Sequence, residues 1–199
     1  MKSWNHLSGD WQDLASDAQA PRYQVIAGMI SEFCPRSDVL NVGCGEAVLW
    51  QYLPMGKSYF GIEPSAKAGE SAREKCGRDC IINCTGEDFD AGECRSIVLS
   101  STKCCIYSRH PLALLDKYSN LIKHGGKIIV SIYQKPGSLI KAQLMYWLDS
   151  NRTMSNVCCT RVVHNFMLRR GWRTEEDKLI ARPGSSEHWR IWRCEPRRP

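Results

Sequence analysis

The nine residues Val39-Leu40-Asn41-Val42-Gly43-Cys44-Gly45-Glu46-Ala47 constrain the fold more than any other stretch of the chain. A short apolar run meets a Gly-x-Gly turn, and a helical pattern follows from Val48 to Leu53. This pattern predicts a strand that ends in a glycine elbow. Without Cβ atoms the backbone there can approach a ligand, and the next helix points its N-terminus at it. Twenty residues beyond Gly43, a second apolar run, Tyr59-Phe60-Gly61-Ile62, ends in an acid, Glu63. A carboxylate at the end of a second strand suits the two ribose hydroxyls of a nucleoside. The two signals together predict a nucleoside-binding cleft.

The rest of the chain alternates between strand and helix patterns. Residues 11–34 read as helical, with Tyr23, Ile26, Ala27, Ile30 and Phe33 at three-to-four spacing. Strands are expected at about 38–42, 58–63, 80–84, 96–100 and 127–133, with helices at about 48–53, 65–76 and 111–123 between them. The helix over 111–123 presents Leu112, Leu115, Tyr118, Leu121 and Ile122 on one face, and His124-Gly125-Gly126 reads as its stop. Such alternation implies parallel strands joined by right-handed crossovers. Residues 138–150 and 158–171 read as helical again, and strands at 178–182 and 189–194 flank the turn Pro183-Gly184-Ser185-Ser186. A connection that short permits only antiparallel pairing. The expected architecture is α/β: a Rossmann-like three-layer sandwich whose mostly parallel seven-stranded sheet ends in an antiparallel hairpin. One domain spans 1–199, with cap helices over 1–34, a core over 35–135 and substrate-side helices plus the hairpin over 136–199.

Composition excludes several alternatives. At 199 residues, 43% hydrophobic and 24% charged, the chain can bury one real core. It has no apolar run long enough for a transmembrane helix and no signal-peptide core after Met1, so a cytoplasmic location is expected. Eleven cysteines contain no Cys-x-x-Cys, and no metal site is expected from them. The net charge of +6 comes with arginines at 169, 170, 173, 182, 190, 193, 197 and 198, but Glu175, Glu176 and Asp177 interrupt them. A solvated strand surface fits that mixture better than a nucleic-acid face.

Two cofactor classes use an elbow followed by a ribose-side acid. Dinucleotide enzymes prefer a third glycine for close helix packing, and Val48 stands at that place. The order of elements instead resembles the class I S-adenosylmethionine (SAM)-dependent methyltransferases over about residues 20–195. Asn41-Val42-Gly43-Cys44-Gly45-Glu46-Ala47 is similar to their glycine-rich motif, with Ala47 in place of a frequent third glycine. Phe60-Gly61-Ile62-Glu63 resembles their second motif, Cys84-Thr85-Gly86-Glu87-Asp88-Phe89 the loop beside adenine, and Leu121–Lys127 the stretch before strand five. The terminal hairpin is also a family trait.

The resemblance implies SAM as cofactor, S-adenosylhomocysteine (SAH) as product, and a small-molecule acceptor methylated on O or N. Cofactor contacts are expected from Asn41, Gly43, Cys44, Gly45, Glu63, Pro64, Glu87, Asp88, Phe89, Ser100 and Ser101. The N–H groups near Gly43 and Gly45 would cradle the amino-acid end, and Glu63 the ribose. Asp88 would meet the adenine amine, with Glu87 and Asp90 as rivals. A hydroxyl acceptor needs a general base, for which His110 and Tyr107 are candidates. Tyr23, Arg109, Tyr133, Tyr146 and Trp147 are candidates for the acceptor side, and Trp4, His6 and Trp11 for a lid. Leu99-Ser100-Ser101-Thr102-Lys103 lacks the Pro-Pro run of base-amine methylating enzymes, so nucleic acid is an unlikely substrate. A homodimer stays open. A SAM-binding partner without catalysis is the alternative reading, and a nicotinamide-dependent oxidoreductase the third.

Overall fold

Short apolar runs punctuated by glycine, proline and polar turns leave the chain one economical arrangement, a central sheet with helices on both faces. The computed structural model describes residues 19–33, 39–55, 58–90, 94–99, 111–134, 160–184 and 188–196. In chain order the elements are α1 (Ala20–Phe33), β1 (Val39–Val42), a 3-10 turn (Val48–Tyr52), β2 (Tyr59–Ile62), α2 (Ala66–Cys76), β3 (Ile81–Ile82) and β4 (Cys94–Leu99). They continue with α3 (Pro111–Asn120), β5 (Ile122–Gln134), α4 (Thr160–Arg169), β6 (Arg173–Ala181) and β7 (His188–Glu195).

The strands lie in the order β3-β2-β1-β4-β5-β7-β6. The first five run parallel, and β7 enters antiparallel between β5 and β6. The order reverses between β1 and β4, so the carboxyl ends of these strands open a crevice at that switch point.

Strict alternation along the strands divides the core in two. Val39, Tyr59, Ile81, Ile129, Trp189 and Ile191 face α1, the 3-10 turn and α2. Leu40, Val42, Ile62, Ile128, Val130, Ile132, Trp192 and Cys194 face α3 and α4. Burying each large apolar side chain contributes roughly 1.5–3 kcal/mol relative to leaving it in water. Trp189 and Trp192 are among the largest fully buried side chains, one on each face of β7. That double burial is why β7 is an inner strand and β6 the edge. The edges are blunted differently: β3 is only two residues long, and β6 carries Arg173, Glu175, Glu176, Asp177 and Lys178.

Charges knit the hairpin to the rest. Lys127 of β5 reaches Glu175 at 2.6 Å and Glu195 at 3.1 Å, and Arg173 bonds the same two acids. Arg193 meets Glu32 at 2.8 Å and donates to the Met29 carbonyl of α1 at 3.3 Å. Arg190 grips Asp177 through two bonds of 2.9 and 2.6 Å. The C-terminal arginines that the structure describes here are thus largely neutralised by neighbouring acids.

Several boundaries differ from the sequence expectation. The segment after the elbow is a five-residue 3-10 turn and not an α-helix, because Ala47 before it adopts a left-handed φ of 55° and no side chain caps it. Helix α3 ends at Asn120 rather than 123, and His124-Gly125-Gly126 lies within β5. There Cys94 pairs with Ile122 and Ser96 with Lys127, so four residues of β5 oppose one of β4 in a bulge. Strand β6 begins at Arg173, five residues earlier than the apolar pattern indicates, since β7 and the Lys127 network supply its partners.

Two outcomes are expected. A Cβ on Gly61 would lie 2.6 Å from Cys44 Sγ and 2.7 Å from Ile81 Cδ1, so Gly61→Ala should destabilise by about 1–3 kcal/mol in urea denaturation. Asp177 is held below the ordinary carboxylate range by Arg190. A depressed carboxyl stabilises above its unfolded value, about 3.9, and loses that contribution as pH falls through the folded value. Native protein should therefore lose stability more steeply than Arg190→Gln as pH drops below about 4, again read by urea denaturation.

Candidate functional site

The elbow is built by left-handed backbone. Gly43, Gly45 and Ala47 have φ of 72°, 56° and 55°, a conformation that costs an L side chain about 1–2 kcal/mol. Ala47 is fully buried in the α1-side cluster, and that packing offsets its strain. The turn folds back on the end of β2. Gly43 N–H and Cys44 N–H both donate to the Ile62 carbonyl, at 2.8 and 3.0 Å.

Glu63 then closes the arrangement. It is 2% exposed, and its Oε2 accepts the Gly45 N–H at 2.9 Å while Oε1 accepts the Ser65 N–H at 2.9 Å. Its backbone is fixed as well: Glu63 N–H donates to the Ile82 carbonyl, and Asn83 Nδ2 donates to the Glu63 carbonyl at 2.7 Å. The acid expected at the second strand end is therefore beside the elbow, locked in orientation by two backbone donors. Ser65 caps α2 by accepting the Ala68 N–H, and Lys75 at the far end of α2 bonds Glu46 at 3.1 Å.

The N–H groups of Gly43 and Cys44 donate to the Ile62 carbonyl and that of Gly45 to the Glu63 carboxylate. A 3-10 turn of five residues does not offer the helix N-terminus expected behind the elbow. The glycines are needed for close approach of backbone to backbone.

Asn41 sits in the middle of β1, fully buried, and donates to the Tyr59 hydroxyl at 2.9 Å. It supports the elbow from beneath. Cys44 is buried between these groups; burial first, then the neighbouring Glu63 charge, push its thiol well above the usual range. It stays protonated and packs as a small apolar group. Among the described residues no cluster of three His, Cys, Asp or Glu could hold a metal.

The loop after β3 is a tight turn. Thr85 Oγ1 donates to Asp88 Oδ2 at 2.6 Å and accepts the Asp88 N–H at 3.2 Å. Glu87 and Asp88 are exposed, whereas Phe89 packs on the α3-side core. Gly86 is pressed against the sheet: its carbonyl accepts the Tyr118 hydroxyl at 2.9 Å, and a Cβ would meet Val42 Cγ1 at 3.0 Å. This fixes the loop beside the carboxyl end of β1, on the side of Glu63.

Tyr23, a candidate for the acceptor side, belongs to the core: it is 9% exposed and stacks on Tyr52 at 6.4 Å. Pro64 is half-buried between Glu63 and Ser65. Tyr133 lies in β5 opposite Trp189, with its side chain outside what is described. Ser100, Ser101, Tyr107, Arg109, His110, Tyr146, Trp147 and the lid candidates Trp4, His6 and Trp11 lie outside the described residues. Sequence reasoning missed Gly61, Asn83 and Tyr59 as supports of the elbow. Only Gly61 carries a local signal, a glycine inside an apolar strand.

Residues 40–130 match the model of a methyltransferase domain family. No curated protein matches the chain in sequence. Among solved structures, magnesium protoporphyrin IX methyltransferase from Synechocystis PCC 6803 with bound SAH superposes with a TM-score of 0.70 at 12% identity, covering 98% of this chain and 96% of that one. The 1,6-didemethyltoxoflavin-N1-methyltransferase of Burkholderia thailandensis gives 0.69 at 12% identity, covering 96% and 84%. The N-methyltransferase NodS of Bradyrhizobium japonicum WM9 gives 0.67 at 13%, covering 91% and 97%. At such identities the likeness speaks to the fold, and the family match carries the rest. That match runs from the elbow through Glu63 to β5, so the stretch that holds the site is similar to a methyltransferase domain.

Proposed function

We propose that the protein moves a methyl group from SAM to an oxygen or nitrogen atom of a small-molecule acceptor. The observation that carries this is the Glu63 carboxylate, buried at the carboxyl end of β2 and oriented by Gly45 and Ser65 at 2.9 Å each. A carboxylate at that place is suited to two neighbouring ribose hydroxyls, and its fixed orientation means little reorganisation on binding. The exposed turn Glu87-Asp88, with Phe89 behind it, is suited to the adenine edge. Asn41, Gly43, Cys44 and Pro64 hold these groups in place.

Bound SAM supplies a methyl group already activated by a sulfonium. What remains for the chain is alignment and exclusion of water, and orientation alone can lower a barrier by roughly 7–11 kcal/mol at best. A neutral amine acceptor needs no further help. A hydroxyl acceptor needs a base, and His110 or Tyr107, which follow β4 in sequence, fill that role. In this reading Ser100 and Ser101 contact the cofactor, and Arg109, Tyr133, Tyr146 and Trp147 belong to the acceptor side. Tyr23 contributes by packing rather than by contact.

The described part of the chain favours a small acceptor. The C-terminal arginines Arg173, Arg190 and Arg193 are paired with acids, which leaves little of the free positive surface that a phosphate backbone requires. No described helix is long and apolar enough to cross a membrane.

Calorimetric titration should show binding of SAM and SAH and none of NADH. Glu63→Ala should weaken SAH binding by about 1–3 kcal/mol, the scale of hydrogen bonds to a charged group. An unchanged dissociation constant in a folded Glu63→Ala protein would mean that the ribose is held elsewhere. Transfer of label from methyl-labelled SAM into a metabolite extract tests turnover itself, and its absence in the presence of tight SAM binding would favour a non-catalytic role.

A further inference from the structure

Helix α3 reaches back to the loop after β3 with two successive residues. Tyr118 donates its hydroxyl to the Gly86 carbonyl at 2.9 Å, and Lys117 donates from Nζ to the Glu87 carbonyl at 2.7 Å. Two consecutive peptide planes are thus drawn toward the helix. The loop is tied at other points too. Asn83 Nδ2 holds the Glu63 carbonyl at 2.7 Å, and Phe89 N–H donates to the Thr85 carbonyl at 3.2 Å. A Cβ on Gly86 would meet Val42 at 3.0 Å and Leu114 at 3.3 Å. These contacts place the turn at the carboxyl ends of β1 and β2, next to the carboxylate assigned to the ribose.

The clamp determines what the turn can offer. A trans peptide points its C=O and its N–H in opposite directions. With the Gly86 and Glu87 carbonyls turned to α3, the N–H groups of Glu87 and Asp88 are turned away from it. Thr85 Oγ1 accepts the Asp88 N–H at 3.2 Å and donates to Asp88 Oδ2 at 2.6 Å. That keeps the Glu87 N–H and Asp88 Oδ1, both on exposed residues, for a ligand. A donor beside an acceptor matches the base edge of adenine, where N1 accepts and the N6 amine donates. A 6-oxo purine reverses both, since its N1–H donates and its O6 accepts.

We propose that Lys117 and Tyr118 are positioning residues that set the adenine selectivity of the cofactor site, by holding the two peptides between Gly86 and Asp88 in the orientation that presents this donor and acceptor together. The proposal rests on the methyltransferase reading above. The two residues differ in what else they do. Tyr118 is fully buried, and its bond also answers a buried carbonyl whose loss would weaken the fold. Lys117 is half-buried and its bond to Glu87 lies at the surface, so the carbonyl it releases can turn to water at little cost. Turning that peptide carries the Asp88 N–H and the Thr85–Asp88 pairing with it. Lys117 is therefore the residue at which selectivity and stability separate.

The test compares SAH with S-inosylhomocysteine, its 6-oxo counterpart, on the full chain, by calorimetry beside urea denaturation. The parent should prefer SAH by about tenfold or more, because the mismatched base leaves two polar groups unpaired. Lys117→Met should reduce that preference to about threefold or less, chiefly through lost SAH affinity, with the urea midpoint unchanged. Lys117→Arg, which keeps a cationic donor, should retain most of the preference. Three results would overturn the proposal. Lys117→Met could keep the full preference. It could lose affinity for both ligands by the same factor, as a purely structural role would produce. The parent could bind SAH with no preference, which would assign base recognition elsewhere. A parent that binds neither ligand would instead remove the methyltransferase reading, and the proposal with it.

Discussion

The bond from Gly45 N–H to the Glu63 carboxylate is the contact on which the site depends. It joins the turn after β1 to the residue after β2, at the carboxyl end of the sheet where the backbone ladder of these two strands has already ended. Three left-handed residues make the turn tight enough to reach, and Gly61 leaves the room beneath it for Cys44. The bond also resolves an electrostatic problem, since a carboxylate at 2% exposure requires donors. Gly45 and Ser65 supply them from two different segments, so the acid cannot rotate without breaking both.

Around that contact, positioning is done by burial and not by helix dipoles. The 3-10 turn after the elbow is short, and the N–H groups of Gly43, Cys44 and Gly45 have partners within the chain. In the proposed function, recognition of a nucleoside therefore rests on side chains, Glu63 above all, and on the turn Thr85–Asp88 that Tyr118 and Val42 hold against the sheet.

The parts that could be read from sequence share one property: their partners are close along the chain or their pattern is dense. Val39–Val42 and Tyr59–Ile62 read as strands because they are apolar runs ending in glycine or an acid, and the Gly43–Glu63 pairing follows from the order of elements. The parts that could not be read depend on distant neighbours. Strand β6 begins in Arg173-Thr174-Glu175-Glu176-Asp177, which has no apolar alternation, and exists as a strand because β7 and Lys127 complete it. His124-Gly125-Gly126 carries the signature of a helix stop, yet the bulge opposite Arg95 draws it into β5. Arg22 looks like an ordinary exposed charge in a first helical turn. It is buried, with the Tyr23 ring and that of Trp189, far along the chain, against its guanidinium. Likewise nothing local says that the Gly45 N–H will be spent on Glu63 before any ligand arrives.

The insertion of β7 between β5 and β6 has a consequence for how the molecule comes into being. An inner strand of the sheet is supplied long after its neighbour β5, and Arg193 on it clasps α1 through Met29 and Glu32. During synthesis β5 therefore waits with an open hydrogen-bonding edge, and Ile129, Val130 and Ile132 lack their covering indoles. Contacts of such long sequence separation are slow to form and leave sticky surface exposed meanwhile. The emerging polypeptide is thus most vulnerable to aggregation between the synthesis of β5 and that of the β6–β7 hairpin, which makes the two tryptophans of β7 fasteners of the nascent sheet.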